Sequence, residues 1–400
     1  MTETISTGLP MKRDNPFDPP TELGVLREEA PMNRLLFPDG HLGWLVTGHE
    51  LVREVMADRR FSSRGELHHA LITRGDGLPL RRPTASPGMF ISMDAPDHTK
   101  YRKLLTGQFT VRRMNLLSAR IEEIVLEHLK AMRENGTSAD LVEAFALPIP
   151  SLVICELLGV PYDERHDFQE DTATALRLET LADEAMAAFE RIKDFIRDLV
   201  RRKRTTPGDD MLSGLIASGE HLDDEEITGM GVLLLVAGHE TTANMLGLGT
   251  LTLLSNPDQL AALRTDPTLI DNTVEELLRY LSILQFGTIR TALEDVEVGG
   301  VLIRQGETVS LSLSAANRDP ERFDHPEVLD IKRSASGHMS FGHGVHQCLG
   351  QQLARIEMRI GFAALFREFP NLRLAVPVED VPLRTDMAIY GVHSLPVEWS

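Results

Sequence analysis

Apolar positions recur at helical spacing along most of this chain, and the clearest run lies at its middle. After Leu222 the acids Asp223-Asp224-Glu225-Glu226 precede a segment that continues through Gly231-Val232-Leu233-Leu234-Leu235-Val236-Ala237-Gly238 to about Ser255. Acids in a first turn offset the positive end of the helix dipole, so the pattern predicts one helix over 223–255. Its middle is apolar nearly all round, which sends it through the protein's centre. Its length is about three times that of a mean helix. A second run, Leu349, Leu353, Ile356, Ile360 and Leu365, predicts a helix directly behind the loop Phe341–Gly350.

The remaining pattern is also mostly helical. From Ala95 to about Gly219 helices are broken at Gly136-Thr137, Gly159-Val160-Pro161 and Thr206-Pro207-Gly208-Asp209. Shorter helices are expected over Glu22–Glu29, over His49–Ala57, after Asn256-Pro257, and from Pro267 to near Tyr280. Strand signals are fewer: Leu42–Thr47, Val296–Val298, Val301–Ile303, Thr308–Ser310 and a strand-like tail, with turns at Gly299-Gly300 and Gln305-Gly306. Residues 1–20 read as a proline-rich lead-in. Residues 62–95, rich in Gly, Pro and Arg, read as a functional or mobile loop. The fold class is mainly α with a smaller β portion, read as a single domain over 1–400.

Composition narrows the function. With 42% hydrophobic and 25% charged residues the chain has an ordinary globular make-up. No apolar run nears the roughly 20 residues that span a bilayer, and the first residues show no secretory pattern. Two cysteines, Cys155 and Cys348, fit a reducing compartment, so a cytoplasmic placement is expected; the protein is also expected to be a monomer. A formal charge of −19 argues against nucleic-acid or anionic-membrane binding.

Cys348 stands out. Glycines at 342, 344 and 350 surround it, and a helix pattern follows at once, so its sulfur is placed where free N–H groups favour a thiolate. Such a sulfur suits a soft metal. Zinc is a poor match, because His338, His343 and His346 beside a lone cysteine lack the usual ligand spacing. Together Phe341, Gly344, His346, Cys348 and Gly350 form Phe-x-x-Gly-x-His-x-Cys-x-Gly, which resembles the heme-binding loop of cytochromes P-450.

That resemblance extends along nearly the whole chain. Ala237-Gly238-His239-Glu240-Thr241-Thr242 resembles the family's oxygen-binding groove, which implies Thr241 as the hydroxyl at the dioxygen site and Glu240 as the acid that relays protons. Glu276-Leu277-Leu278-Arg279 resembles its Glu-x-x-Arg motif, a structural ion pair. A second arginine often joins that pair, but the matching place here holds Val328, which leaves the third partner open. His98, Arg102, Arg290 and His346 match the bases that hold the heme propionates. The fold implied is the cytochrome P-450 fold, with heme between the long central helix and the helix after the cysteine loop. The branch resembled is the actinomycete type that includes vitamin D hydroxylases and antibiotic or xenobiotic hydroxylases.

The activity implied is monooxygenation of a sizeable lipophilic small molecule by heme b, with Cys348 as metal ligand. The chain has no flavin or iron–sulfur motif, so ferredoxin and ferredoxin reductase are the implied donors, fed by NAD(P)H. Ferredoxins are acidic, and a basic docking patch is expected from Arg102, Lys103, Arg112, Arg113 and Arg355. Expected pocket residues are Met89, Phe90, Ile91, Leu233, Leu234, Ala237, Leu284, Phe286, Ile289, Ala388 and Ile389. Arg81 and Arg82 read as a solvated face. An oxidative cyclase, a peroxide-driven peroxygenase and a heme-thiolate sensor are the alternatives. The Glu240–Thr241 pair argues against the last two.

Overall fold

The computed structural model describes residues 5–80, 83–108, 111–218 and 221–400. The helices are α1 (Thr21–Glu29), α2 (His49–Ala57), α3 (Asp97–Thr106), α4 (Val111–Glu134), α5 (Pro148–Leu158), α6 (Arg165–Leu176), α7 (Ala182–Thr205) and α8 (Met211–Ile216). They continue with α9 (Asp224–Ser255), α10 (Pro257–Thr265), α11 (Ile270–Leu281), α12 (Leu313–Ala316) and α13 (Gln351–Glu368). Strands are short: β1 (Ile5–Ser6), β2 (Met32–Leu36), β3 (Leu42–Val46), β4 (Phe61–Ser62), β5 (Ser138–Asp140), β6 (Ile289–Ala292), β7 (Val296–Val298), β8 (Val301–Ile303), β9 (Thr308–Leu311), β10 (Arg373–Leu374) and β11 (Pro396–Glu398).

Helix α9 is the axis. Asp223 caps it by accepting from Glu226 N–H at 2.8 Å, while the Glu226 carboxylate accepts from Asp223 N–H at 3.0 Å. Such a capping box satisfies two backbone donors that a helix start leaves free. Three helices close on α9 at its glycines. An added Cβ would meet Ile196 of α7 at 2.7 Å from Gly231, Ile154 of α5 at 2.9 Å from Gly238, and Phe362 of α13 at 2.6 Å from Gly249. The small residues seat the neighbours, and the Leu and Val between them supply the burial that holds the packing together.

The main sheet has the order β1-β2-β3-β9-β6-β4. β1 runs parallel to β2 and β3 parallel to β9; the other pairs are antiparallel. A second sheet, β10-β11-β5, joins the tail to residues 138–140, and β7 and β8 form a hairpin. The lead-in is more than a leader. Ile5–Ser6 adds an edge strand, and the Arg13 guanidinium lies 3.8 Å over the Tyr390 ring, whose hydroxyl donates to Pro16 O at 2.8 Å. Five strands, β1, β2, β4, β5 and β6, stand where the sequence pattern did not place them; runs of two to five residues carry too little period to be read.

The 62–95 loop is held at several points. Asp94 accepts from Ser62 Oγ and Ser63 N–H. Arg74 donates to Ala175 O at 3.1 Å and Arg177 O at 3.2 Å, at the C-terminal end of α6. Pro87-Gly88 rests on α9 where Gly229 leaves room; a Cβ there would lie 1.9 Å from Pro87 O. Arg81 and Arg82 lie outside the described residues.

Candidate active site

The cysteine loop is folded by its glycines. Gly342 and Gly344 have φ of 68° and 73°, and a Cβ on Gly344 would sit 2.6 Å from Met56 O of α2. Side chains rarely adopt such dihedrals, and at Gly344 the space is closed as well. Cys348 N–H donates to Phe341 O at 2.8 Å, which closes the loop. The sulfur is accessible, yet protein surrounds it on nearly every side. Burial pushes the thiol up, and the Gly350 and Gln351 N–H groups with Arg102 and Arg355 only partly offset it. α13 starts at Gln351, three residues after the sulfur.

Four bases gather beside this loop. The His98 and His346 rings have centroids 4.1 Å apart. Burial and then the charges of Arg290, His98 and Arg102 push His346 down to about 3. Burial and Arg102 likewise lower His98, against the pull of Asp94. His98 Nε2 is buried with no hydrogen-bond partner. Bases that repel one another around an unpartnered ring nitrogen fit an anion, and two carboxylates on one flat group suit the arrangement.

Helix α9 turns one face outward in the middle of its buried length. Leu234, Ala237, Gly238 and Thr241, at successive spacings of three, one and three, keep partial exposure while Leu235, His239, Glu240 and Thr242 are buried. Thr241 Oγ1 donates to Ala237 O at 2.9 Å. The Glu240 carboxylate accepts from Arg384 Nη2 at 3.0 Å and Asn244 Nδ2 at 3.2 Å. Neighbouring helical side chains diverge by about 100°, so acid and hydroxyl leave the helix in different directions. His239 Nδ1–H donates to Leu235 O at 2.7 Å, and burial lowers its pKa, which marks it as neutral core.

Sequence reasoning missed Arg384, which lies 144 positions from its partner in a polar tail without a motif. It also left open the third member of the Glu276–Arg279 pair. Both side chains are fully buried, with Arg279 Nε–Glu276 Oε2 at 2.7 Å and Nη2–Oε1 at 2.8 Å. Arg333 is the third partner, with Nε 3.3 Å from Glu276 Oε1. Val328 takes part through its backbone, accepting from Arg333 Nη2 at 3.4 Å and Arg279 Nη2 at 3.3 Å.

The expected docking patch is divided. Arg355 is held by Glu275, with contacts of 2.5 and 3.0 Å, and stacks 4.5 Å over the Phe341 ring. Burial pushes the Glu275 carboxyl up, but hydrogen bonds from His338 and Arg355 outweigh it and hold it at about 2. Arg113 faces Asp209 at 3.7 Å, Arg102 belongs to the base cluster, and Lys103 is exposed. The Arg112 side chain lies outside the described residues. Of the expected pocket residues, Met89, Leu234 and Leu284 are half-buried and Ile91 is exposed. Phe90, Leu233 and Ile389 are buried in the main core, whereas Phe286 and Ile289 pack with Leu23, Phe37 and Leu71 beside the sheet.

An accessible cysteine sulfur inside a glycine loop flanked by bases, together with an open side on the central helix, fits heme held by a thiolate; the class is a heme-thiolate protein. The comparisons give the family. The chain belongs to the cytochrome P450 family, whose model matches residues 36–388. It is 49% identical to cytochrome P450 105C1 of Streptomyces sp over 399 residues, covering 100% of both chains. It is 42% identical to vitamin D3 dihydroxylase of Streptomyces griseolus over 416 residues, again covering 100% of each. The crystal structure of CYP105P1 in complex with filipin I matches with a TM-score of 0.94 at 46% identity, covering 99% of both chains. The protein is thus a cytochrome P450 monooxygenase that acts on small molecules, with heme b ligated by a cysteine thiolate. Bacterial members generally take electrons from separate redox proteins. No helix among the described residues is long and apolar enough to cross a membrane.

Proposed function

We propose that this enzyme hydroxylates, or epoxidises, a sizeable lipophilic molecule such as a secondary metabolite, a sterol-like compound or a xenobiotic, with electrons from a ferredoxin and its reductase. The observation that carries this reading is the open side of α9, where Leu234 and Ala237 present apolar surface next to Thr241. Met89 and Leu284 are likewise half-buried apolar side chains. A relative whose name states that it dihydroxylates vitamin D3 supports the choice of a large apolar substrate. Ferredoxin as donor rests on the absence of a flavin or iron–sulfur motif in the sequence.

Cys348 is assigned as the heme ligand, and His98, Arg102, Arg290 and His346 as the groups that hold its propionates. Bound heme supplies the oxidising chemistry, and a thiolate ligand donates electron density that favours O–O cleavage. The chain's own residues position the substrate and manage protons. Thr241 keeps a hydroxyl on the open face. Glu240 is the nearby acid, and delivery requires its carboxylate to turn from Arg384 toward Thr241. Glu276, Arg279 and Arg333 tie α11 to the segment that leads into the cysteine loop.

The test is spectroscopic. Reduced protein under carbon monoxide is expected to show the strongly red-shifted Soret band of thiolate ligation, and Cys348→Ala to abolish it. A variant that keeps the band would remove Cys348 from the assignment. Spectral shifts across a panel of terpenoids, sterols and polyketides would then identify the substrate class; binding confined to small polar compounds would refute the lipophilic reading.

A further inference from the structure

Phe341 opens the cysteine loop, and its ring is held on two sides by groups that one acid fixes in place. Its carbonyl accepts the Cys348 N–H at 2.8 Å, so Phe341 and the sulfur belong to one closed turn. The Arg355 guanidinium of α13 lies 4.5 Å from the ring centroid, and the His338 ring packs at 5.8 Å. Glu275 of α11 binds both. It accepts from Arg355 Nε at 2.5 Å and Nη2 at 3.0 Å, and from His338 Nε2 at 3.1 Å. The Ser340 N–H donates to His338 Nδ1 at 3.2 Å, which places the ring proton on Nε2. Gln351 Oε1 takes the last nitrogen, Arg355 Nη1, at 3.0 Å.

The cation has another place to go. A cleft of about 370 Å³ opens beside it, lined also by Asn272, Ser334, Ser336, Gln347 and Gln351. A guanidinium free to turn would exchange the ring face for the water and amide groups of such a cleft. Paired carboxylate bonds fix both its plane and its position, so Glu275 is placed to keep the charge on the ring rather than only to neutralise it. That charge reaches the sulfur. Burial pushes the Cys348 thiol up, and Arg355 is one of two cations that act the other way.

We propose that Arg355 is a positioning residue that sets the reduction potential of the heme iron: held over Phe341 by Glu275, it keeps a positive charge beside the Cys348 turn and favours the reduced state. Reduction adds one electron, and so one negative charge, without making or breaking a bond, and a nearby cation stabilises the more negative state. The surroundings of an axial ligand tune potential in this way. The inference rests on the assignment of Cys348 as heme ligand made above. It gives Arg355 a task other than docking, since all three of its nitrogens are already bonded.

The test is the one-electron potential of the heme-loaded, substrate-free enzyme, read from the Soret band during titration with dithionite. Arg355→Gln is expected to lower it by about 59 mV, a tenfold change in the one-electron equilibrium. Arg355→Lys keeps the charge but not the two parallel bonds to Glu275, and is expected to fall about midway. Glu275→Ala gives the deciding sign. Loss of an anion would by charge alone raise the potential, whereas a cation released from the ring lowers it, and a fall of about threefold in the equilibrium is expected. An unchanged or raised potential in Arg355→Gln or Glu275→Ala overturns the proposal, as does an Arg355→Lys value equal to that of Arg355→Gln. If Arg355→Gln does not retain heme, Arg355→Lys and Glu275→Ala carry the test with the same signs. In a Phe341→Leu background Arg355→Gln should shift the potential less, and an undiminished shift overturns the route through the ring. Failure of the heme assignment is recognised separately, by the lack of a thiolate Soret band in the reduced wild-type protein under carbon monoxide.

Discussion

Replacing Arg333 by methionine isolates the third member of the buried ion-pair group. Its side chain is 13% exposed and donates to Glu276 Oε1 at 3.3 Å and His325 O at 3.0 Å, with further contacts to Asp324 O and Val328 O. A hydrogen bond from a charged donor contributes about 1.5–3 kcal/mol. Methionine keeps most of the apolar stem, and Glu276 keeps its two-pronged bond to Arg279. The loss is therefore placed at about 2–3 kcal/mol, near a single strong bond. Arg279→Met differs in kind, because it removes the two-pronged bond and leaves Glu276 buried with Arg333 at 3.3 Å and the Asp330 N–H at 2.9 Å. Breaking a buried pair costs about 3–5 kcal/mol. Unfolding entropy for 400 residues is about 0.8 kcal/mol per kelvin, so the two variants should melt about 3 and 5 °C below wild type. Urea unfolding followed by circular dichroism and by the Soret band should give the same order. An Arg333→Met midpoint equal to wild type would refute the reasoning, since it would show that Arg279 alone neutralises Glu276.

Other outcomes follow from individual side chains. Gly344→Ala forces a Cβ toward Met56 O at a φ of 73°, and is expected to cost about 1–3 kcal/mol and to weaken heme retention, measured by heme transfer to an acceptor protein. Thr241→Ala should leave dioxygen consumption running while product per dioxygen falls about tenfold, the rate equivalent of one hydrogen bond; full coupling would exclude the hydroxyl from the reaction. Glu357 is fully enclosed on α13 and burial raises its carboxyl well above the usual range. An unfolded chain releases this proton near pH 4.5 while the folded one keeps it, so wild-type stability falls as pH rises past that point. Glu357→Met should remove that slope and gain about 1–3 kcal/mol at pH 7 but nothing below pH 4, read from urea midpoints across pH.

The central helix and the cysteine loop could be read from the chain because each is written in consecutive residues. A long apolar period predicts α9, and glycines around one cysteine predict the loop. Side-chain partners were harder to see. Arg384 and Arg333 lie 144 and 57 positions from the acids they meet, in segments with no period of their own. The resemblance directed attention to Val328, while the guanidinium that reaches Glu276 comes from five residues further along. The direction of Glu240 was also beyond sequence, because adjacency to Thr241 in the chain places the two groups about 100° apart on a helix. The sulfur's environment shows the same limit: a helix start argues for a thiolate, and only the fold shows how much burial opposes it.

The 144-residue separation of Glu240 from Arg384 has a consequence for synthesis. Translation at about 5–20 residues per second leaves roughly 7–30 s between the emergence of the acid and that of its cation. During that interval Glu240 has only Asn244 of its own helix as a side-chain partner, so packing α9 among α5 and α7 encloses a carboxyl without its cation. The ion pair of the central helix is therefore completed late, when the tail arrives.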